Sequence, residues 1–164
     1  MLGGIIYAVH ADHLITTTDD DFADEVQEYL GTGTQLQEMY ITPRLLNARN
    51  WDDLAVAANW SRAHADVLVD THWVGGDPGK DEIYGWASWV EGRGVLTLRN
   101  PSDQSAAFTA DIRDLFELPD RAAKSFNLRS PWKKDRDQPF VKMKAGEPHT
   151  FSFRPFEVLV LETK

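Results

Sequence analysis

Four groups of residues in this 164-residue chain combine side-chain type and spacing in ways that could do chemistry. His10, Asp12 and His13 sit close enough to offer metal ligands. A metal centre needs more donors than these, and none clusters beside them, so no metal and no cofactor is expected. Asp70 and Asp77 bracket the polar, glycine-rich stretch DTHWVGGDPGK and could give oxygens to a calcium ion. The same composition describes a turn punctuated by Gly and Pro, which is the preferred reading. Trp73, Trp86 and Trp89, with Tyr84, are the candidate sugar-binding residues, because indole faces pack against the apolar face of a pyranose. Arg129, Lys133, Lys134 and Arg136 surround Trp132, but Asp135 and Asp137 offset them, and the group reads as a solvated loop.

Several chemistries are excluded by what is missing. The GGDPGK segment lacks the spacing of a phosphate-binding loop, and neither a G-x-S-x-G elbow nor a dinucleotide fingerprint occurs. Without cysteine there is no disulfide framework, thiolate metal site or cysteine nucleophile. A net charge of −9 offers too little clustered Lys and Arg to neutralise phosphates, so neither nucleic acid nor an anionic membrane is an expected partner. The opening segment, MLGGIIYAV, has no basic region and reaches His10 too soon to read as a signal peptide or membrane span. Localisation is left open.

The charge is divided unevenly. Residues 1–82 carry 15 acidic and 4 basic side chains, whereas residues 83–164 carry 11 and 13. The halves therefore net −11 and +2, and the step coincides with a change of texture.

Before the step, residues 18–30 place Phe22, Val26, Tyr29 and Leu30 on one helical stripe, stopped by Gly31. Asp19, Asp20 and Asp21 fall in its first turn, where carboxylates meet the positive end of the helix dipole. Residues 34–41 form a short expected strand ending at Thr42 and Pro43. Asn50 is the expected N-cap of a second helix running to about residue 65. Its predicted face holds Trp51, Leu54, Ala55, Ala58 and Arg62.

After residue 82, short aromatic and β-branched runs alternate with turn signals, the pattern of an antiparallel sandwich. Strands are predicted at residues 82–90, 95–100, 105–113, 122–128, 138–144 and 149–163, the last broken near Pro155. Residues 91–94, 101–104 and 145–148 are read as turns, the first two as hairpin loops. In the first of these strands, Trp86 shares parity with Tyr84 and Ser88, whereas Trp89 shares it with Ile83 and Ala87. The two tryptophans must point to opposite faces.

Taken together, LGTGTQLQEMYITPRLL (30–46), WDDLAVAANWSRAHADVL (51–68) and the region from YGWASW through NPSDQSAAFTADIRDLF (84–116) resemble the C-terminal portion of α-galactosidase-like glycoside hydrolases. The closing HTFSFRPFEVLVLETK is similar to that clan's final pair of strands. The resemblance implies a mainly β chain. An antiparallel Greek-key β-sandwich would span about residues 82–164, after an α/β segment (1–68) like the end of a (β/α)8 barrel and a connecting loop (69–81).

In that clan the two catalytic aspartates lie on earlier barrel strands, so the resemblance implies no catalytic residue in the matched region. A retaining glycosidase needs two carboxylates about 5–5.5 Å apart. Glu38 and Tyr40, with Thr42, would lie nearest the mouth of the barrel. The implied role is structural support by a catalytically incomplete region, whose partner is the missing barrel portion or another copy of the chain. The alternative is a free-standing β-sandwich module that binds a glycan through Trp73, Trp86 and Trp89, or another protein.

Overall fold

The computed structural model of the chain describes residues 3–8, 19–33 and 36–164. Strand β1 (Gly3–Ala8) pairs in parallel with β2 (Leu36–Ile41). Parallel neighbours require a crossover connection, and α1 (Asp19–Gly31) supplies it. The predicted stripe of α1 is buried throughout, with Phe22, Val26, Tyr29 and Leu30 between 2% and 8% exposed. The Asp19–Asp21 capping expectation concerns side chains outside the described ones, as do His10, Asp12 and His13.

The second helix, α2 (Ala48–Ala63), begins earlier than its expected cap. Asn47 is the N-cap, and Asn50 is its reciprocal partner. The Asn50 amide donates to Asn47 Oδ1 at 3.0 Å, and the Asn47 amide donates to Asn50 Oδ1 at 3.1 Å. Two amide side chains thereby satisfy free donors of the first turn. The buried face is also rotated from the predicted one. Asn50, Leu54, Ala57 and Ser61 point inward, while Trp51 remains 43% exposed. Hydropathy could not anticipate a buried Asn whose polar atoms are already paired.

A short α3 (Ala65–Leu68) leads into β3 (Thr71–Gly75). Residues 69–81, expected as a connecting loop, therefore contribute a strand to the main sheet, and its Gly-Gly-Asp-Pro-Gly tail had masked the alternating THWV. The remaining elements are β4 (Tyr84–Val90), β5 (Arg93–Arg99), β6 (Ala106–Ala110), α4 (Ile112–Leu115), β7 (Ser125–Arg129), β8 (Val141–Lys144), β9 (His149–Phe153) and β10 (Val158–Thr163). The expected strand at 105–113 thus stops at Ala110, and Asp111 caps α4 by accepting from the Arg113 amide at 2.8 Å.

Six strands form one antiparallel sheet in the order β3-β4-β5-β10-β7-β8, and β6 and β9 form a separate antiparallel pair. Residues 91–94 make the expected β4–β5 hairpin, with Gly92 at φ +81°. Residues 101–104 do not close a hairpin, because β5 and β6 belong to different sheets. Asn100 makes this crossing possible. It is fully buried, donates to the carbonyls of Gln104 (2.7 Å) and Arg154 (2.9 Å), and accepts from the Ser102 amide (3.1 Å).

The six-stranded sheet is covered on both faces. On one side Leu96, Leu98 and Leu161 pack with Phe151 and Phe153 of β9 and with Ile112 and Leu115 of α4. On the other, Val95 and Val160 pack with Phe22, Val26, Leu54 and Val67 from the three preceding helices. The core thus extends beyond residues 82–164 into the helical segment. Helices and sandwich share the same strands.

Candidate functional site

Alternation along β4 sends Tyr84 and Trp86 to the helix-bearing face and Trp89 to the opposite one, as the parity of the sequence predicts. Trp73 of β3 lies directly across from Trp86 and joins the helix-bearing side. Trp73 and Tyr84 stack with centroids 5.1 Å apart and planes 8° apart. Trp86 meets both edge-on, at 5.4 Å from Trp73 and 5.5 Å from Tyr84. Trp73 is 48% exposed. Trp89 packs against the sandwich core instead, its indole nitrogen without a partner among the described residues. Of the three candidate tryptophans, two belong to one cluster and the third is excluded from it.

The cluster borders a charged network whose members the sequence did not single out. Tyr84 donates its hydroxyl proton to Glu28 Oε1 at 3.3 Å. Arg99, opposite Tyr84 in the β4–β5 register, donates to Glu28 Oε2 and, at 2.6 Å, to Glu25 Oε1. Burial pushes the Glu28 carboxyl up from its ordinary value, against the pull of Arg99. Burial, helped by the charge of Glu28, pushes the Tyr84 phenol up to about 12. Burial works against the Arg99 cation, but its bonds and charges with Glu25 and Glu28 outweigh this and raise its pKa above the ordinary arginine value. The network therefore holds a permanent cation between two carboxylates. Spacing hints at it, since Glu25 and Glu28 share a face of α1 at i,i+3. Nothing local pairs either residue with Arg99.

Glu38 and Tyr40 lie elsewhere, on β2, where successive odd and even positions face opposite ways. They share a side of the strand, and the Tyr40 hydroxyl donates to Glu38 Oε1 at 2.8 Å. That bond to an acidic neighbour raises the Tyr40 phenol pKa. Tyr29 of α1 holds the strand from behind, its hydroxyl accepting from the Glu38 amide at 3.0 Å. Leu36 (59%), Met39 (44%) and Tyr40 (51%) are all open to solvent.

Asp77 of the candidate calcium pair, and His72 near it, have structural roles. Asp77 accepts from the Gly79 amide at 2.9 Å and lies 3.6 Å from Lys80, so its carboxylate shapes the turn after β3. His72 contacts the Leu115 carbonyl through Nε2 at 2.9 Å and ties β3 to α4. Among the described residues, no group of three His, Cys, Asp or Glu side chains is placed to hold a metal.

A third cluster fastens α2 to β10. Glu162, 6% exposed, accepts from Trp60 Nε1 at 2.8 Å and from Lys164, and lies 3.0 Å from His64 Nε2. Burial raises its carboxyl pKa, but these bonds and charges outweigh burial and hold it below the ordinary value. Its partners join two elements, and no open surface is framed by them.

No protein-family model and no curated protein matches the chain. Solved structures do. A GH27 β-L-arabinopyranosidase from Geobacillus stearothermophilus superposes with a TM-score of 0.60 at 14% identity, over 95% of this chain and 33% of its own. An α-galactosidase from Saccharomyces cerevisiae, in a structure with raffinose, matches with a TM-score of 0.61 at 12% identity, over 91% of this chain and 44% of its own. An α-amylase from Geobacillus thermoleovorans gives 0.58 at 12% identity, over 87% and 34%. The chain thus spans about a third to less than half of each of these enzymes. At such identities the likeness is one of fold. At that level it bears out the resemblance, read from the sequence, to the C-terminal portion of an α-galactosidase-like glycoside hydrolase.

Proposed function

We propose that the chain is the C-terminal region of an α-galactosidase-like glycoside hydrolase, in which β1, α1, β2 and α2 are the closing elements of a (β/α)8 barrel and a Greek-key sandwich braces them. The observation that carries this reading is the state of β2. It is paired in parallel with β1 through a crossover helix, which is the repeating unit of such a barrel, yet no residue of it is buried. Strands of parallel sheets are ordinarily covered on both faces. Trp51 and Val56, 43% and 57% exposed, likewise leave apolar side chains of α2 open to solvent. Both surfaces fit continuation of the strand and helix layers by further barrel units.

In this reading Glu38 and Tyr40 line the mouth of the barrel and contact substrate, and the acid/base and nucleophilic carboxylates come from earlier strands. The 164-residue chain is then expected to be inert towards nitrophenyl α-galactoside and related α-glycosides. Turnover of these by the purified chain, abolished by changing one of its carboxylates, would overturn the proposal. Reading the coding DNA upstream of Met1 tests it from the other side, the expectation being an in-frame barrel with two strand-end aspartates.

A further inference from the structure

We infer that Trp73, Tyr84 and Trp86, with Glu25 and Arg99 beside Tyr84, form a binding site for a neutral pyranose, separate from any barrel active site. Three observations converge. The first is rigidity: the Trp73 indole is backed by the parallel ring of Tyr84 and braced edge-on by Trp86. Tyr84 is in turn anchored to Glu28. A ring held in this way loses little freedom when a ligand stacks on it, which is where flexible surface aromatics forfeit affinity.

The second observation is the chemistry of the border. Glu25 is largely exposed and Arg99 partly so, and their 2.6 Å bond fixes a carboxylate acceptor and a guanidinium donor beside Tyr84. Sugar hydroxyls both give and accept hydrogen bonds, so a paired donor and acceptor next to an aromatic face suits them. The exposed Glu25 carboxylate at this border disfavours sialylated, sulfated or uronic sugars.

Size is the third. A tryptophan offers about 250 Å² at most, and Trp73 has roughly half its surface open. That matches one face of a single pyranose ring and falls well below the roughly 800 Å² that each partner contributes to a stable protein interface. The exposed apolar side chains of β2 and α2 are different ones.

The test is titration of the purified 164-residue chain with melibiose, raffinose, maltotriose and galactomannan, followed by tryptophan fluorescence and calorimetry. Saturable binding of at least one of them is expected in the millimolar range. Trp73→Ala is expected to weaken it at least about tenfold, the loss of one stacking contact. Glu25→Gln should weaken it several-fold without touching the stack, while Trp51→Ala, removing an exposed indole elsewhere, should leave it unchanged. No saturable response to any of the four sugars, or equal loss in Trp51→Ala, would overturn the site. So would sugar binding indifferent to both Trp73→Ala and Glu25→Gln. If Trp73→Ala changes the sedimentation of the chain and not its response to sugar, the patch is a protein contact and the inference fails. None of these outcomes bears on the barrel reading, which rests on β2.

Discussion

Single side chains in this protein divide into those whose neighbours are local and those whose neighbours are remote, and only the first kind can be read from a sequence. The opposed directions of Trp86 and Trp89 follow from strand parity alone. Glu28 and Arg99 are 71 positions apart, and their bond exists because α1 crosses β5 at one register. Glu162 is a similar case, meeting Trp60 from 102 positions away. Its carboxyl is held below the ordinary value in the folded chain, so its contribution to stability is full above pH 4.5, the unfolded value, and is lost as pH falls through the folded one. Glu162→Gln should therefore lower stability at neutral pH by about 2 kcal/mol, since it removes a charge from a buried hydrogen-bonded cluster. The deficit should narrow in acid, and urea unfolding of both proteins between pH 7 and pH 3 reads it directly. A deficit that stays constant with pH would assign the loss to packing.

At the level of helices and strands, most elements were legible and the errors have identifiable causes. The α1 stripe and the β4–β5 hairpin obey simple periodicity. β3 is hard to read because only four alternating residues precede its glycines, and the buried face of α2 is rotated from the predicted one because its inward Asn50 is a capping partner. Close approach between elements sets the next constraint. A Cβ at Gly85 would lie 1.9 Å from the Thr97 carbonyl oxygen, inside the β4–β5 ladder, where backbone cannot yield. At Gly92, φ is +81° and nothing lies within 4 Å. Gly85→Ala is expected to cost more than about 3 kcal/mol, and Gly92→Ala about 1 kcal/mol, from the backbone conformation alone. Denaturant midpoints of the two variants should separate accordingly.

Across the whole molecule, the division suggested by composition is real in charge and absent in packing. Val95 and Val160 take part in the helical core while Leu96 and Leu161, their sequence neighbours, take part in the sandwich core. A strand buried on both faces cannot release one layer without exposing apolar surface to water, at about 25 cal/mol per Å². The described chain should therefore unfold in one cooperative transition, with fluorescence and far-ultraviolet circular dichroism superimposing in urea. Two separated transitions would mean that the helices dissociate first. Within the folded state, β1 and β2 should exchange amide hydrogens fastest and β5 and β10 slowest.

The charge step along the sequence gains a meaning from the bonds that bridge it. Asp24 meets Lys134, Glu25 and Glu28 meet Arg99, and Asp66 meets Arg93. In each the acid comes from the helical segment and the base from the sandwich. Opposite net charges on two surfaces accelerate their encounter by long-range attraction, an effect that added salt suppresses within a Debye length of about 10 Å. The same polarity that holds the helices to the sheet would draw the two segments together if they were produced as separate polypeptides. Their reassembly would be quickest in dilute buffer and slow as ionic strength rises, which makes this boundary a natural place to split the protein into a reconstitutable pair.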